Sequence, residues 1–466
     1  MQIPDWVQDA TFYQIFPDRF ANGNPGNDPV NVQAWGASPT RWHYQGGDLT
    51  GITKHLDYLV DLGINAIYLN PIFHSSANHR YHIIDYFKVD PFLGDLEDFH
   101  ELIREANRKG IRIILDGVLN HCGRGFFAFN NVLENKKNSP YKDWFHIRRF
   151  PLDAYSRGNA INFKAWWDIK ELPKFNTDNP AVRDYLFGMT RYWLEVGIDG
   201  WRLDVPNEID DDEFWAEYRN VVKSVNPDAY LVGEIWETDT HWVNDDHFDG
   251  LMNYPLRDAI LDPLSHKAGF DLLAHVQDEL LSVYTPAQWS AMYNPLGSHD
   301  TKRVMTKLRG SLARAKLAYS ALFAHPGAPA IYYGDEIGLR GGLDPASRAA
   351  FPWDESQWNM ELHDWIKRLT SIRKASAPLR RGAFKRLHLD IENKTMLFER
   401  SHNDKKVWVA LNYSPSNQRF RVSLADMSLD AQTDFSDLLS GDTLFTENGF
   451  TEIRLAPFGA RWLAIK

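Results

Sequence analysis

Short apolar runs alternate with amphipathic stretches along about the first 370 residues of the chain. The runs TFYQIFP (11–17), NAIYLN (65–70), IRIILDGV (111–118), DGWRLDV (199–205), AYLVGEI (229–235), DGLMNY (249–254), WSAMYN (289–294) and PAIYYGDE (329–336) have the length and composition of strands. Several are apolar nearly throughout, as parallel strands covered on both faces must be. The helices between them have readable ends. In DLEDFHELIREANRKG, Asp95 is placed to cap the start, and Leu96, Phe99, Leu102, Ile103 and Ala106 make the buried stripe. Gly110 closes that helix before the third strand, and in NPAVRDYLFGMTRYWLEVG Pro180 opens a helix that Gly197 ends. Eight strand-then-helix units predict an α/β fold, a (β/α)8 TIM barrel, with its chemistry at the C-terminal ends of the strands. A doubly wound open sheet is the alternative, but no GxGxxG follows the first strand and the number of units favours closure.

Two stretches break the rhythm. Between the third strand and the helix near 180 lie about 60 residues, too many for an ordinary βα loop. Residues 120–170 therefore read as a small inserted domain over the barrel mouth, with the barrel formed by 1–119 and 171–379. After a helix near 361–376 the pattern alternates in KTMLFERS, KVWVALNYS, RFRVSL and ARWLAIK, predicting a C-terminal antiparallel β-sandwich domain over 380–466.

The fourth run, GWRLDV, carries opposite charges on one face, because Arg202 and Asp204 alternate with Trp201, Leu203 and Val205. A buried structural ion pair and a reactive carboxylate with its charge partner both fit that pattern. Other strand ends are polar as well. The third ends in Asp116, Asn120 and His121, the fifth in Glu234, and the segment after the seventh in His299 and Asp300. Acidic groups converging on one mouth repel one another and are costly to bury, which points to function. Paired carboxyl groups, one of them protonated, are what glycosidic-bond cleavage requires. A metal cluster is the rival reading, but HExxH and paired-cysteine spacings are absent. No GxSxG elbow or phosphate-binding loop is present either.

Composition narrows the partners. The net charge of −11 argues against nucleic acid or an anionic membrane, and no apolar stretch approaches the roughly 20 residues of a membrane span. The 17 Trp among 14% aromatic residues suit stacking on sugar faces. A single cysteine, Cys122, excludes an intrachain disulfide and agrees with a reducing compartment. No signal peptide is visible at the N-terminus, so the cytoplasm is the expected location.

Four short segments, DGVLNH (116–121), GWRLDVPNE (200–208), VGEIW (232–236) and PLGSHD (295–300), resemble the four signature regions of the α-amylase family (glycoside hydrolase family 13), in order and in position on the third, fourth, fifth and seventh strands. LPKFNTDNP (172–180) is similar to the MPKLN region of the neopullulanase, cyclomaltodextrinase and maltogenic amylase group. FYQIFPDRFANGNPGNDP (12–29), GSHDTKR (297–303) and Glu208 resemble that group too. Where the group's motif has Met and Leu this chain has Leu172 and Phe175, and the N-terminal β domain usual in the group does not precede the barrel. That domain supports dimerisation and narrows the active site in the relatives, so the monomer and the homo-oligomer both stay open.

The resemblance implies a retaining α-glucan hydrolase acting on cyclodextrins, maltooligosaccharides or pullulan, with transglycosylation as a side activity. It makes Asp204 the nucleophile, Glu234 the general acid/base and Asp300 the transition-state stabiliser. Arg202 is expected to hold Asp204 ionised, and a less polar wall that includes Trp236 to keep Glu234 protonated. The resemblance further implies that Tyr81, His121 and His299 grip the sugar at the cleavage point. Asp344 and Arg348 would bind the non-reducing side, and Trp236 would form a platform on the leaving-group side. Asn22, Asn24, Asn27 and Asp28, with Gly46 and Asp48 nearby, offer oxygen ligands on a tight loop where relatives place a structural Ca²⁺. No organic cofactor is implied. An isomerase or transferase on the same site, and a non-catalytic glucan-binding homologue, are the competing readings.

Overall fold

The computed structural model describes residues 3–465. All eight expected strands form: β1 (Phe12–Ile15), β2 (Ala66–Leu69), β3 (Arg112–Gly117), β4 (Gly200–Leu203), β5 (Tyr230–Gly233), β6 (Gly250–Leu251), β7 (Tyr293–Pro295) and β8 (Ala328–Tyr332). They are parallel neighbours in the order β6-β5-β4-β3-β2-β1-β8-β7. A parallel bridge between Met252 and Tyr293 joins the two ends and closes the barrel.

Each strand has two buried faces of different character. Phe12, Ala66, Tyr68, Ile114, Tyr230, Val232, Ala328 and Ala330 pack together inside the barrel. Tyr13, Ile67, Leu115, Trp201, Leu203 and Leu231 face the outer helices. Gly200 sits at the start of β4 because a Cβ there would lie 2.1 Å from the Tyr230 carbonyl oxygen.

The outer layer departs from eight regular units at one place. Between β5 and β6 only a 3-10 turn, Thr240–Trp242, replaces the expected helix. Elsewhere the expected caps form. Asp95 and Asp98 make a reciprocal capping box, and Gly197 adopts φ 118° after Val196.

The excursion between β3 and the helix Pro180–Val196 holds one α-helix, Phe127–Asn135, and is organised by isolated bridges such as His121 with Lys174 and Phe145 with Phe175. A hairpin of Phe73–Ser75 and Ile83–Val89 follows β2 and carries Tyr81 in its loop.

The C-terminal region has eight antiparallel strands: β9 (Ala383–Asp390), β10 (Thr395–His402), β11 (Lys405–Asn412), β12 (Gln418–Ser423), β13 (Phe435–Asp437), β14 (Thr443–Leu444), β15 (Phe450–Leu455) and β16 (Ala460–Ile465). A sheet in the order β9-β10-β11-β16-β13-β14 faces the barrel through Met396, Phe398, Val407 and Val409. Its other face packs Leu397, Trp408 and Ala410 against Val422, Ile453 and Leu455 of the β12–β15 pair. Among the described residues no helix is long and apolar enough to cross a membrane.

Candidate active site

The two-residue alternation of β4 decides where its charges go. Trp201 and Leu203 join the outer core, so Arg202 and Asp204 turn toward the barrel interior. Nη1 of Arg202 lies 2.7 Å from Oδ1 of Asp116 and 2.9 Å from Oδ1 of Asp204, and Nη2 lies 2.8 Å from Oε2 of Glu234. One guanidinium, 1% exposed, thus joins the ends of β3, β4 and β5. Asp116 also accepts the hydroxyls of Tyr68 (2.6 Å) and Tyr81 (2.8 Å). Beyond Asp204 the chain turns sharply. Val205 takes φ 38°, a strained value for a β-branched residue, and its N–H donates to Oε2 of Glu234 at 3.2 Å.

Arg202 pulls the Asp204 carboxyl down, as the sequence led us to expect, but it does not outweigh burial. Burial raises that carboxyl well above its ordinary range, and Glu234 and Asp116 add to the rise against the opposing guanidinium. Burial likewise raises Glu234, with Asp300 adding to it and Arg202 opposing. One positive charge faces three carboxyl groups, so both Asp204 and Glu234 favour the protonated form more than a free carboxyl does.

Asp300 is different. Burial would raise it, but His299, Arg348 and Arg202 overcome that and hold it below the ordinary carboxylate range. Its Oδ2 lies 3.0 Å from Nε2 of His299 and its Oδ1 lies 3.1 Å from Nη2 of Arg348. The tautomer of His299 follows from its other side. Gln14 on β1 directs Nε2 to Nδ1 of His299 (2.9 Å) and to Oδ1 of Asn70 (3.0 Å). Nδ1 therefore accepts, and the proton sits on Nε2, facing Asp300 and the Tyr81 hydroxyl 2.7 Å away. The Tyr81 and His299 rings are parallel within 9°. Arg348 also pairs with Asp344 at 3.1 Å, so Asp344, Arg348 and Asp300 form one chain of charges at the rim.

Residues 14–378 match the model of the alpha amylase catalytic domain. The chain belongs to the α-amylase family. It is 43% identical to a cyclomaltodextrinase of Geobacillus thermopakistaniensis, covering 98% of this chain and 77% of the relative. It is 40% identical to neopullulanase 2 of Thermoactinomyces vulgaris, again covering 98% and 77%. A solved structure of cyclic α-maltosyl-(1→6)-maltose hydrolase from Arthrobacter globiformis, in complex with the saccharide of its name, is 42% identical with a TM-score of 0.90. Each of those two chains covers 100% of the other. The protein is a glycoside hydrolase of this family.

Around the three carboxyl groups this α-amylase family chain sets further candidate contacts. His121 is buried, and burial pushes its imidazole down to about 3. Its Nδ1 meets Nδ2 of Asn120 at 3.2 Å, while Nε2 has no partner, and the ring stacks on Trp166. Trp236 is set by its neighbour Tyr254, which itself feels the Glu234 charge. It lies flat on Tyr254, with centroids 3.7 Å apart and planes within 4°, and 46% of it is exposed. Sequence reasoning assigned no role to Asp116, Gln14, Tyr68, Asn70, Trp166 or Tyr254. For Gln14, Tyr68 and Asp116 the signal was available: each is the last inward-facing residue of its strand.

The loop 22–28 brings oxygens together at a second point. Asn22 donates to both oxygens of Asp28 (2.9 and 3.1 Å), while Oδ1 of Asn22 and both polar atoms of the Asn27 side chain are buried without partners. A Cβ on Gly46 would lie 2.3 Å from Oδ1 of Asp28, so glycine is required beside this cluster. Asn24 and Asp48 are engaged differently. Oδ1 of Asn24 accepts from Gly26 N–H, and the Asp48 carboxylate accepts the N–H groups of Gly23, Asn24 and Gly51 while capping the helix Leu49–Lys54. Unpartnered amide oxygens beside the Asp28 carboxylate are of the chemical type that suits a hard cation.

Proposed function

We propose that the protein is a retaining α-glucan hydrolase that opens cyclic and short linear maltooligosaccharides at α-1,4 linkages and accepts α-1,6 linkages as well. The observation that carries this reading is the convergence of Asp204 and Glu234 on the Arg202 guanidinium at the strand ends, beside an Asp300 paired with His299 and Arg348. In the first step an Asp204 oxygen bonds to the anomeric carbon as the glycosidic bond breaks, and the proton from Glu234 passes to the departing oxygen. Water then attacks the glycosyl ester, gives its proton to Glu234, and frees Asp204. Asp300, kept anionic by His299 and Arg348, is available to bind sugar hydroxyls and to stabilise positive charge at the ring. The unpartnered Nε2 of His121 is a donor for a further hydroxyl. In this reading Asp344 and Arg348 contact the non-reducing side, and the Trp236–Tyr254 stack serves the leaving-group side.

Full mutual coverage with the Arthrobacter globiformis hydrolase favours small cyclic saccharides containing α-1,6 bonds among the substrates. Product analysis on β-cyclodextrin, pullulan, maltotriose and cyclic maltosyl-maltose tests the assignment. Hydrolysis of the cyclic substrates to maltose and glucose is expected. An isomerised disaccharide as the main product would overturn hydrolysis in favour of isomerisation, and binding without turnover would mark a non-catalytic homologue.

We further propose a structural Ca²⁺ held by Asn22, Asn27, Asp28 and the Gly46 backbone, with Asp48 and Asn24 shaping the loop. The ion would satisfy the orphaned oxygens and brace the segment after β1. A cytoplasmic setting belongs to the same reading, supported by the lone, buried Cys122.

A further inference from the structure

The β5–β6 connection, where the outer helix is missing, carries a cluster that the hydrolytic site does not use. Oδ1 of Asp212, in the first turn of the helix Asp212–Val225, lies 3.0 Å from Nε2 of His241 and 3.2 Å from Nε2 of His247. The ligand atoms of these three residues all lie within 4.8 Å of one another. Asn244 fixes the orientation of His247. Its Nδ2 donates to the His241 carbonyl at 2.6 Å, and its Oδ1 accepts the backbone N–H groups of Asp246 (2.8 Å) and His247 (3.0 Å). Turning the amide over would lose all three bonds, so Oδ1 must also be the acceptor facing Nδ1 of His247 at 3.0 Å. Nε2 is then the atom that His247 offers to Asp212. An imidazole that gives its other N–H to a carbonyl oxygen is the arrangement of a metal-bound histidine.

We propose that Asp212, His241 and His247 form a binding site for a divalent transition metal, Zn²⁺ being the best fit, with water as the fourth ligand. Bonds of about 2.0–2.1 Å in tetrahedral geometry put ligand atoms roughly 3.3 Å apart, close to both Asp–His separations. Two imidazoles and one carboxylate suit zinc and its neighbours and do not suit Ca²⁺ or Mg²⁺. The site combines order with access: the His247 side chain is 5% exposed, while Asp212 and His241 are 68% and 47% exposed. The ion ties the β5–β6 connection, which begins beside Glu234 and Trp236, to the helix after β4.

The test is calorimetric titration of chelator-treated full-length protein with Zn²⁺, in excess Ca²⁺, alongside Asp212→Asn, His241→Ala and a distant control, His402→Ala. One equivalent of Zn²⁺ should bind, and Co²⁺ in its place should show the intense visible bands of a tetrahedral site. Affinity should fall at least tenfold in Asp212→Asn and in His241→Ala and stay unchanged in His402→Ala. Binding of no Zn²⁺, or equal affinity in His241→Ala and the parent chain, would overturn the proposal and leave the cluster as plain ion pairs.

Discussion

Lys174 of the inserted segment reaches Glu208 of the loop after β4. Its Nζ donates to the Glu208 backbone carbonyl and lies 3.5 Å from Oε2 of the same residue. Burial lowers the Lys174 ammonium, Lys164 lowers it further, and Glu208 opposes both. Glu208 ends the 3-10 turn Pro206–Glu208, which follows the strained Val205 and Asp204. The tie therefore holds the backbone beside the proposed nucleophile, and it joins two sequence features, LPKFN and Glu208, whose contact the sequence does not reveal.

Replacing Lys174 by Met should lower stability by about 1–3 kcal/mol, because a part-buried carbonyl loses its donor. It should also cut kcat/KM on β-cyclodextrin about tenfold, a loss of about 1.4 kcal/mol in transition-state binding. Glu208→Gln keeps the carbonyl bond and should cost less than about 1 kcal/mol. Urea unfolding followed by tryptophan fluorescence checks the ranking. A larger loss in Glu208→Gln would show that the charge pair, not the carbonyl bond, holds the loop.

The barrel was legible because both faces of its strands are buried and its helices carry their caps. Phe99, Leu102, Ile103 and Ala106 are buried as their spacing requires, and Asp95 caps them. The missing helix after β5 was not legible, since a strand pattern says nothing of what crosses back outside it. In the C-terminal region the short strands Phe435–Asp437 and Thr443–Leu444 escaped for want of length to show alternation. At the site, residue types and strand ends identified the three acidic groups, but the direction of the Asp204 shift depends on burial and on Asp116, which only three dimensions supply.

Gln14 should matter through His299. Gln14→Leu removes the donor to Nδ1, frees the tautomer, and should lower kcat about 10–100-fold, short of the roughly 10⁴ lost when a carboxylate that fixes a catalytic imidazole is removed. Gln14→Glu reverses the polarity of that hydrogen bond and draws the proton to Nδ1, away from Asp300. It should be worse than the leucine variant. Steady-state kinetics on both variants decide the matter, and a harmless Gln14→Glu would show that the tautomer is not set from this side.

Removing the guanidinium should move the pH profile in one direction. Arg202 opposes the rise of both Asp204 and Glu234, so without it the carboxyl that must ionise does so at higher pH. In Arg202→Gln the acid limb of kcat/KM should shift upward by about 1–3 pH units, the usual effect of an adjacent opposite charge. An unmoved acid limb would show that the guanidinium does not set the ionisation of the carboxyl groups around it.

Glu336 gives a stability test away from the reaction. Its Oε1 accepts the hydroxyls of Tyr13 and Tyr58 at 2.7 Å each, Oε2 is buried without a partner, and burial raises the carboxyl from 4.5 to about 7. The folded state therefore binds a proton that the unfolded chain has released across that window. The stabilisation is complete below the unfolded value and is lost as pH rises through the folded one. The loss amounts to about 3 kcal/mol at most. Glu336→Gln keeps the acceptor for both tyrosines and cannot ionise. It should match the parent near pH 5 and exceed it by about 2–3 kcal/mol at pH 8. Comparing the two chains by denaturant unfolding at pH 5, 6, 7 and 8 cancels the titration of every other group. A stability difference that stays constant with pH would mean that Glu336 remains ionised in its pocket, with the two tyrosine hydroxyls supplying enough hydrogen bonding to hold the charge.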